Sequence, residues 1–342
     1  MKAMALFRTS PMRENTAPLE EALLPDPVAG TGQILLRVSV CGVCHTEIDE
    51  IEGRTPPPHF PVVPGHQVVG RVIGTGEGVD EFRPGDRAGV AWIYSACGTC
   101  AFCRSGRENL CPSFRATGRD VHGGYAELMV VPAAFAHRIP SSFDDARAAP
   151  LLCAGAIGYR SLRLAGIREN GLLGLMGFGA SAHLVLLLVR FQYPGATVFV
   201  FARSEAERAF ARDLGAAWTG GIDDTPPTPP EAMIDTTPVW TTVLASLRHM
   251  GPGGRLVINA IRKETGDRHT LAHLDYPSQL WLEKEVKSVA NVTRSDVREF
   301  LDLAARMDLR PEVEEYPLRD ANAALRDLRR KSVRGAKVLR VA

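Results

Sequence analysis

Apolar and polar positions alternate in the first part of the chain. Ile34, Leu36, Val38 and Val40 are apolar at every second place, with Leu35, Arg37 and Ser39 between them. Successive side chains of a strand point to opposite faces, so this period of two predicts a strand with one buried face. Residues 68–73 and 127–131 read the same way. Turns rich in Gly and Pro separate these runs, as in Thr55-Pro56-Pro57-Pro58 and Arg83-Pro84-Gly85-Asp86. Residues 1–150 are therefore expected to be rich in β-structure.

The pattern changes after Pro150. Residues 171–176 form a short, continuously apolar run, as a strand buried on both faces requires. It ends in Gly177-Phe178-Gly179-Ala180-Ser181-Ala182, and an apolar helical run follows. Residues 196–201 predict a second strand. Ser204-Glu205-Ala206-Glu207 is then a capping box, which predicts a helix running to Leu214 and stopping at Gly215. Further strands are expected near 232–235, 255–260 and 286–292, with a tail helix near 319–330 and a strand at 336–341. Alternating β and α segments predict a parallel sheet covered by helices. Asp223-Asp224-Thr225-Pro226-Pro227-Thr228-Pro229-Pro230 is a connection rather than a strand, because Pro cannot donate to a sheet ladder.

The length of 342 residues corresponds to about two domains at ~150 residues each. Lys and Arg number 40 and Asp and Glu 39, a net charge of +1, which opposes a general nucleic-acid binder or a polybasic membrane-surface protein. The N-terminus lacks the apolar run of a signal peptide, and the longest aliphatic stretch is 184–189. The expectation is a cytoplasmic protein with no membrane and no nucleic-acid partner. Seven cysteines are an awkward number for disulfide pairing, and clustered thiols in a reducing compartment more often bind metal.

Cys97, Cys100, Cys103 and Cys111 form the strongest local signal. Four thiolates at such short spacing can surround one zinc ion tetrahedrally, and a site with four protein ligands is structural. Gly98 lets the chain turn between ligands. The alternatives are reduced, metal-free thiols and an iron–sulfur cluster, whose common spacings this run fits less well. Cys44, His66 and Cys153 remain as separated ligands. A two-cysteine, one-histidine set would leave a fourth position open, as catalytic zinc requires, although spacing alone does not bring the three together.

The stretch Gly65-His66-Gln67-Val68-Val69-Gly70, continuing to Gly76 and Val79, resembles the zinc alcohol dehydrogenase signature of the medium-chain dehydrogenase/reductase superfamily. Cys44-His45-Thr46, the four-cysteine run, Gly123-Gly124-Tyr125-Ala126-Glu127, Cys153-Ala154-Gly155 and the glycine turn occur in that family's order. The resemblance covers essentially the whole chain. It implies an α/β fold: a GroES-like β-rich catalytic domain from 1–150 and 296–342, with a zinc lobe at about 92–115, and a Rossmann doubly wound parallel-sheet domain from 151–295. It implies Cys44, His66 and Cys153 as ligands of a catalytic zinc, and Cys97, Cys100, Cys103 and Cys111 as ligands of a structural one. Cys41 is left as a packed thiol. Glu47 matches the family's acid that hydrogen-bonds the ligand histidine. Thr46 matches the hydroxyl that passes the alcohol proton outward, and Asp49 stands where the relay often continues through His. Gln67 replaces the family's usual Glu and removes a negative charge beside the metal. Ile157 stands where many members have Thr near the nicotinamide.

Gly177-x-Gly179-x-x-Ala182 is a dinucleotide fingerprint, with phosphate expected on the amides of Ala180 and Ser181 at the helix start. It follows a strand, opens a helix and precedes a second strand, which is the context such a motif needs. The second strand ends in Ala202-Arg203-Ser204, where NAD enzymes often carry an acid. The absence of that acid, with Arg203, Ser204 and Arg208 able to bind a 2′-phosphate, favours NADP over NAD. The resemblance implies hydride transfer between NAD(P) and a small-molecule alcohol, aldehyde or ketone, by a homodimer or homotetramer in contact through the Rossmann sheet. Alternatives are a zinc-independent enone or quinone reductase, a weakly catalytic cofactor-sensing protein, and a zinc ribbon for nucleic acid, which the charge opposes. Trp92, Ile93 and Tyr94 read equally as pocket lining or as core.

Overall fold

The structure, a computed structural model, describes residues 1–330 and 335–341. Two compact units emerge, one of Met1–Ala156 with Val292–Ala342 and one of Ile157–Asn291. The boundaries fall a few residues from the 150 and 295 read from the sequence, so Cys153 sits in the first unit. The chain passes from one unit to the other within a helix, Ala154–Ala165.

The first unit begins with an antiparallel pair, β1 (Lys2–Leu6) and β2 (Leu19–Leu23). Its main sheet is built on β3 (Gln33–Val43), followed by α1 (His45–Ile51), β4 (Val68–Thr75) and β5 (Arg87–Val90). A small pair, β6 (Ile93–Ser95) and β7 (Arg115–Ala116), brackets α2 (Ala101–Arg104). Then come β8 (Leu128–Pro132), β9 (Ala136–Arg138), α3 (Asp145–Ala148) and α4 (Ala154–Ala165). The alternation in β3 has its expected consequence: Ile34, Leu36, Val38 and Val40 are fully buried, while Arg37 is exposed. Burying each such aliphatic side chain contributes about 1.5–3 kcal/mol, which anchors β3 in the core.

The second unit contains β10 (Leu172–Met176), α5 (Ala180–Gln192), β11 (Thr197–Phe201), α6 (Glu205–Asp213), β12 (Trp218–Gly220), β13 (Ala232–Asp235), α7 (Thr241–His249), β14 (Arg255–Ile258), α8 (Tyr276–Gln279) and β15 (Glu285–Ser288). The strands are all parallel, in the order β12-β11-β10-β13-β14-β15. This is the dinucleotide-fold order, whose strand sequence reverses between β10 and β13. Ser204 caps α6 as expected, accepting from the Glu207 amide, and Gly215 follows in a left-handed conformation. β15 departs from expectation. It stops at Ser288 instead of 292, and all four of its residues are exposed, because it is the outer strand of the sheet.

The tail adds α9 (Arg294–Arg306), β16 (Val313–Pro317), α10 (Ala321–Arg330) and β17 (Ala336–Arg340) to the first unit. β17 pairs antiparallel to β3, with Leu339 opposite Cys41. β16, which lacks a clear alternation, pairs parallel to β17. No helix among the described residues is long and apolar enough to cross a membrane.

Candidate active site and metal centres

Strand pairing assembles the first cluster. β3 and β4 run antiparallel with Cys41 opposite Val68, and the Gly42 amide donates to the Gln67 carbonyl at 2.9 Å. Cys44, just past β3, and His66, just before β4, therefore meet at one end of the sheet. Cys153 arrives on the 3-10 turn Ala149–Leu152 that precedes α4. Cys44 Sγ lies 4.0 Å from Cys153 Sγ, which lies 3.3 Å from His66 Nε2. The three ligand atoms all lie within 4.8 Å of one another. Zinc bonded to sulfur at about 2.3 Å and nitrogen at about 2.1 Å in a tetrahedron sets S···S near 3.8 Å and S···N near 3.6 Å, so the donor set fits zinc.

Glu47 holds two of these residues. It lies in the first turn of α1 with its side chain fully buried. Its Oε2 accepts the Cys44 amide at 2.7 Å, and its Oε1 lies 2.6 Å from His66 Nδ1. Neither Oε1 nor Nδ1 has another hydrogen-bond partner among the described residues. Burial, the largest single effect, opposes charge on the His66 ring, but the Glu47 carboxylate and the Cys44 sulfur together outweigh it and hold the imidazole well above its ordinary pKa. The hydrogen bond between the two sulfurs lowers Cys44 and raises Cys153, so the pair keeps one proton that a bound cation would release. Gly65 sets the approach to His66. Its φ is +99°, and a Cβ there would stand 2.4 Å from the Tyr125 ring and 2.7 Å from Cys41 Sγ.

The neighbouring residues divide clearly. Thr46 Oγ1 is 3.6 Å from Cys44 Sγ, beside the cluster. Asp49 is buried, and its Oδ1 accepts from Arg54 Nε at 2.6 Å. Gln67 is buried with its side chain against Gly42, where a Cβ would meet its Oε1 at 2.7 Å. Cys41 is fully buried and stands outside the cluster. The sequence reading missed Glu50, buried one helical turn after Glu47, whose Oε1 has no hydrogen-bond partner among the described residues. Burial, with Glu47 nearby, raises the Glu50 carboxyl pKa well above the usual range.

The second cluster is local. Cys97, Cys100, Cys103 and Cys111 bring their sulfurs within 4.8 Å of one another, with Cys97 and Cys103 at 3.9 Å. Backbone amides face the sulfurs: Cys100 N donates to Cys97 Sγ at 3.3 Å and Cys97 N to Cys111 Sγ at 3.4 Å. Amide hydrogen bonds from Thr99 and Cys100 lower the Cys97 thiol to about 6, ready to ligate as thiolate. Gly98, at φ +73°, makes the turn between the first two ligands. Trp92, Ile93 and Tyr94, beside this lobe, belong to the buried core of the first unit.

In the second unit, Gly177 turns at φ +84°, and a Cβ there would stand 2.8 Å from Thr237 Cγ2 and 3.0 Å from Thr236 Oγ1. Gly179 is the N-cap of α5, and no atom lies within 4 Å of where its Cβ would be. The amides of Ala180 and Ser181 open that helix, whose first four N–H groups have no intrahelical acceptor. Ala182 is fully buried, where a small residue lets helix and sheet approach. The three residues expected at the ribose differ in availability. The Ser204 hydroxyl is engaged in its cap, accepting from Glu207 N at 3.2 Å and donating to Glu207 Oε2 at 2.9 Å. Arg208 donates to the Ala202 carbonyl at 2.9 Å and to Glu205 at 3.0 Å. Arg203 forms no ion pair among the described residues and faces solvent. Asp235 and Lys263, unremarked in the sequence, form a buried ion pair at 2.6 Å in this unit.

Residues 30–141 match the family described as "Alcohol dehydrogenase GroES-like domain". A protein of Mycobacterium tuberculosis (strain CDC 1551 / Oshkosh), "Probable alcohol dehydrogenase AdhA", is 42% identical, covering 99% of this chain and 97% of its own. An alcohol dehydrogenase of Geobacillus stearothermophilus is 31% identical over 92% of this chain and 93% of its own. Among solved structures, a cinnamyl alcohol dehydrogenase from Sorghum bicolor superimposes with a TM-score of 0.84 at 26% identity, over 99% of this chain and 97% of its own. With the two clusters and the glycine turn, these likenesses show that the chain belongs to the zinc-type alcohol dehydrogenases of the medium-chain dehydrogenase/reductase superfamily, the NAD(P)-dependent alcohol oxidoreductases.

Proposed function

We propose that the chain is a zinc-dependent dehydrogenase of a small-molecule alcohol, or reductase of the matching aldehyde, that binds two zinc ions per chain and prefers NADP. The observation that carries this reading is the convergence of Cys44, His66 and Cys153 from three distant segments, with ligand atoms at zinc-ligand separations. Zinc held there supplies Lewis-acid polarisation of a hydroxyl or carbonyl oxygen, and a bound nicotinamide supplies the hydride acceptor or donor. The four cysteines of the lobe hold the second ion and leave no position for substrate.

The chain's own residues prepare this site. Glu47 keeps the proton of the His66 ring on Nδ1 and so presents Nε2 as a ligand. Thr46, beside Cys44, takes the substrate hydroxyl's proton on Oγ1 while passing its own hydroxyl proton on to solvent water. Asp49 does not carry that proton further in this reading, because Arg54 already occupies its Oδ1. It fixes the end of α1 instead.

Cofactor choice rests on Arg203. Ala202 carries no carboxylate to repel a 2′-phosphate, and the nearby acids are occupied, Glu205 by Arg208 and Arg212 and Glu207 by the Ser204 cap. The turn at Gly177 and the first amides of α5 take the pyrophosphate. Self-association through β15 completes the reading. That strand leaves an open sheet edge with Val286 exposed, and Tyr276, Trp281 and Leu282 are also exposed. Four close thiols kept as metal ligands suit a reducing, cytoplasmic setting.

A paired assay of NADP and NAD over a panel of alcohols and aldehydes, with metal analysis of the same sample, tests this. Two zinc ions per chain and a higher kcat/KM with NADP support it. Turnover that persists when the Cys44 cluster holds no metal refutes it.

A further inference from the structure

The buried Asp235–Lys263 pair lies at the carboxyl end of β13. β13 stands next to β10, where the strand order reverses, and ligands of open α/β sheets bind outside the carboxyl ends of the strands at that place. The β10 exit is the glycine turn. The β13 exit is its counterpart in the second half of the sheet, which begins with β13. The first half carries the turn and the ribose-reading residues after β11, so it takes the adenosine half of a dinucleotide. The second half is left for the nicotinamide half.

The segment after Asp235 is tied down at each step. The Thr236 amide donates to the Met176 carbonyl at 3.0 Å, joining this exit to the end of β10. The Thr237 amide donates to Asp235 Oδ1 at 2.9 Å, and Thr242 Oγ1 donates to Asp235 Oδ2 at 3.1 Å. Lys263 Nζ donates to Asp235 Oδ2 at 2.6 Å, to the Thr237 carbonyl at 2.8 Å and to the Val239 carbonyl at 3.1 Å. Its three N–H donors are thus matched by three protein oxygens, and its side chain is only 6% exposed. Lys263 is therefore not itself a ligand for phosphate. It ties two carbonyls of loop 236–240 to a buried carboxylate. The same loop forms the wall that Gly177 packs against through Thr237. On the adjoining exit of β14, Asn259 Nδ2 is buried and has no hydrogen-bond partner among the described residues, a donor presented at the same rim.

We propose that Lys263 is a positioning residue that pre-organises loop 236–240 for the nicotinamide half of the dinucleotide. This rests on the dinucleotide reading above. With the ammonium in place, the loop is ordered before the cofactor arrives. Without it, binding must pay for ordering the loop, and the loss falls on that half alone.

Calorimetric titration of the full chain tests this, using wild type, Lys263→Met and the double variant Asp235→Asn with Lys263→Met. The ligands are NADPH with adenosine 2′,5′-bisphosphate, and NADH with AMP. Each pair compares a whole dinucleotide with its adenosine half. Lys263→Met is expected to weaken the dinucleotide about tenfold or more while the half-molecule changes less than about twofold. The double variant removes the orphaned buried charge and so recovers thermal stability, but it lacks the same loop anchors and keeps the loss of affinity. Wild-type dinucleotide affinity in the double variant, or equal weakening of dinucleotide and half-molecule, overturns the proposal. Wild-type protein that binds neither dinucleotide overturns the dinucleotide reading itself, a result separate from any behaviour of the variants.

Discussion

Glu47→Gln probes the cluster of Cys44, His66 and Cys153 with little change of shape. Glu47 is fully buried and bridges the Cys44 amide at 2.7 Å and His66 Nδ1 at 2.6 Å. A glutamine can keep only one of these contacts in its present sense. With its carbonyl oxygen on the Cys44 amide, its NH2 faces His66 Nδ1 and demands an acceptor there. The imidazole proton then moves to Nε2, the atom that must bind the metal. With the amide reversed, NH2 meets the Cys44 N–H, donor against donor. Either way one charge-assisted contact is lost, worth about 1.5–3 kcal/mol, and each 1.4 kcal/mol is a factor of ten in affinity. Zinc at the Cys44 cluster should therefore bind about 10- to 100-fold more weakly, in line with losses after removing a ligand's supporting partner. The assay is zinc release to a colorimetric chelator. Wild type should release two ions per chain in two phases, and Glu47→Gln should accelerate only one of them, with unchanged far-ultraviolet dichroism. Unchanged release of both ions would refute the bridging role, and accelerated loss of the lobe's zinc would show a general loosening instead.

Other expectations follow from the same geometry. Cys103→Ser should remove one zinc per chain and lower the thermal unfolding temperature, since a structural ion contributes folding free energy directly. Metal analysis with calorimetry checks this, and an unchanged unfolding temperature counts against a structural ion. Arg203→Ala should lower kcat/KM for NADP about tenfold or more with little effect for NAD, because it removes the cation proposed to bind the 2′-phosphate; an equal fall for both cofactors contradicts the assignment. His137 is neutral in the fold because burial, with Arg298 and Arg294 nearby, holds its pKa down to about 4. The unfolded chain protonates this histidine near 6.5 while the fold does not until about 4, so its stability contribution is full above pH 6.5 and is lost as pH falls toward 4. Between pH 7.5 and pH 5 that loss is about 2 kcal/mol. Urea unfolding of His137→Asn should show a fall smaller by that amount than wild type, and parallel curves would exclude the effect. Gly65→Ala should destabilise the first unit and weaken zinc at the Cys44 cluster, through both its positive φ and contact with Tyr125.

Much of the fold could be read before any coordinates because its signals are local. The alternation of β3 reports burial two residues at a time, and Ser204 with Glu207 satisfies helix-end amides within one turn. β16 was not legible, since its identity comes from pairing with β17 rather than from its own residues. β15 is shorter than the 286–292 read from its residues, and its exposure follows from an edge position that only the sheet order sets. The residues expected at the ribose show a similar limit. Arg203, Ser204 and Arg208 look alike in a list of donors, but Ser204 and Arg208 already have partners in the fold. Asp49 is engaged by Arg54, five residues away, which no spacing rule announces.

By itself the sequence determined the strand and helix periods, the four-cysteine lobe and the glycine turn. In each, the interacting groups lie within a few residues, so chain geometry alone brings them together. Only the tertiary structure decided that Cys44 and Cys153, 109 residues apart, share one cluster with His66, and that Asp235 and Lys263, 28 apart, share one buried charge pair. The physical reason is that such contacts depend on strand register and on competition among many buried donors and acceptors. That competition is settled only when the whole chain has packed.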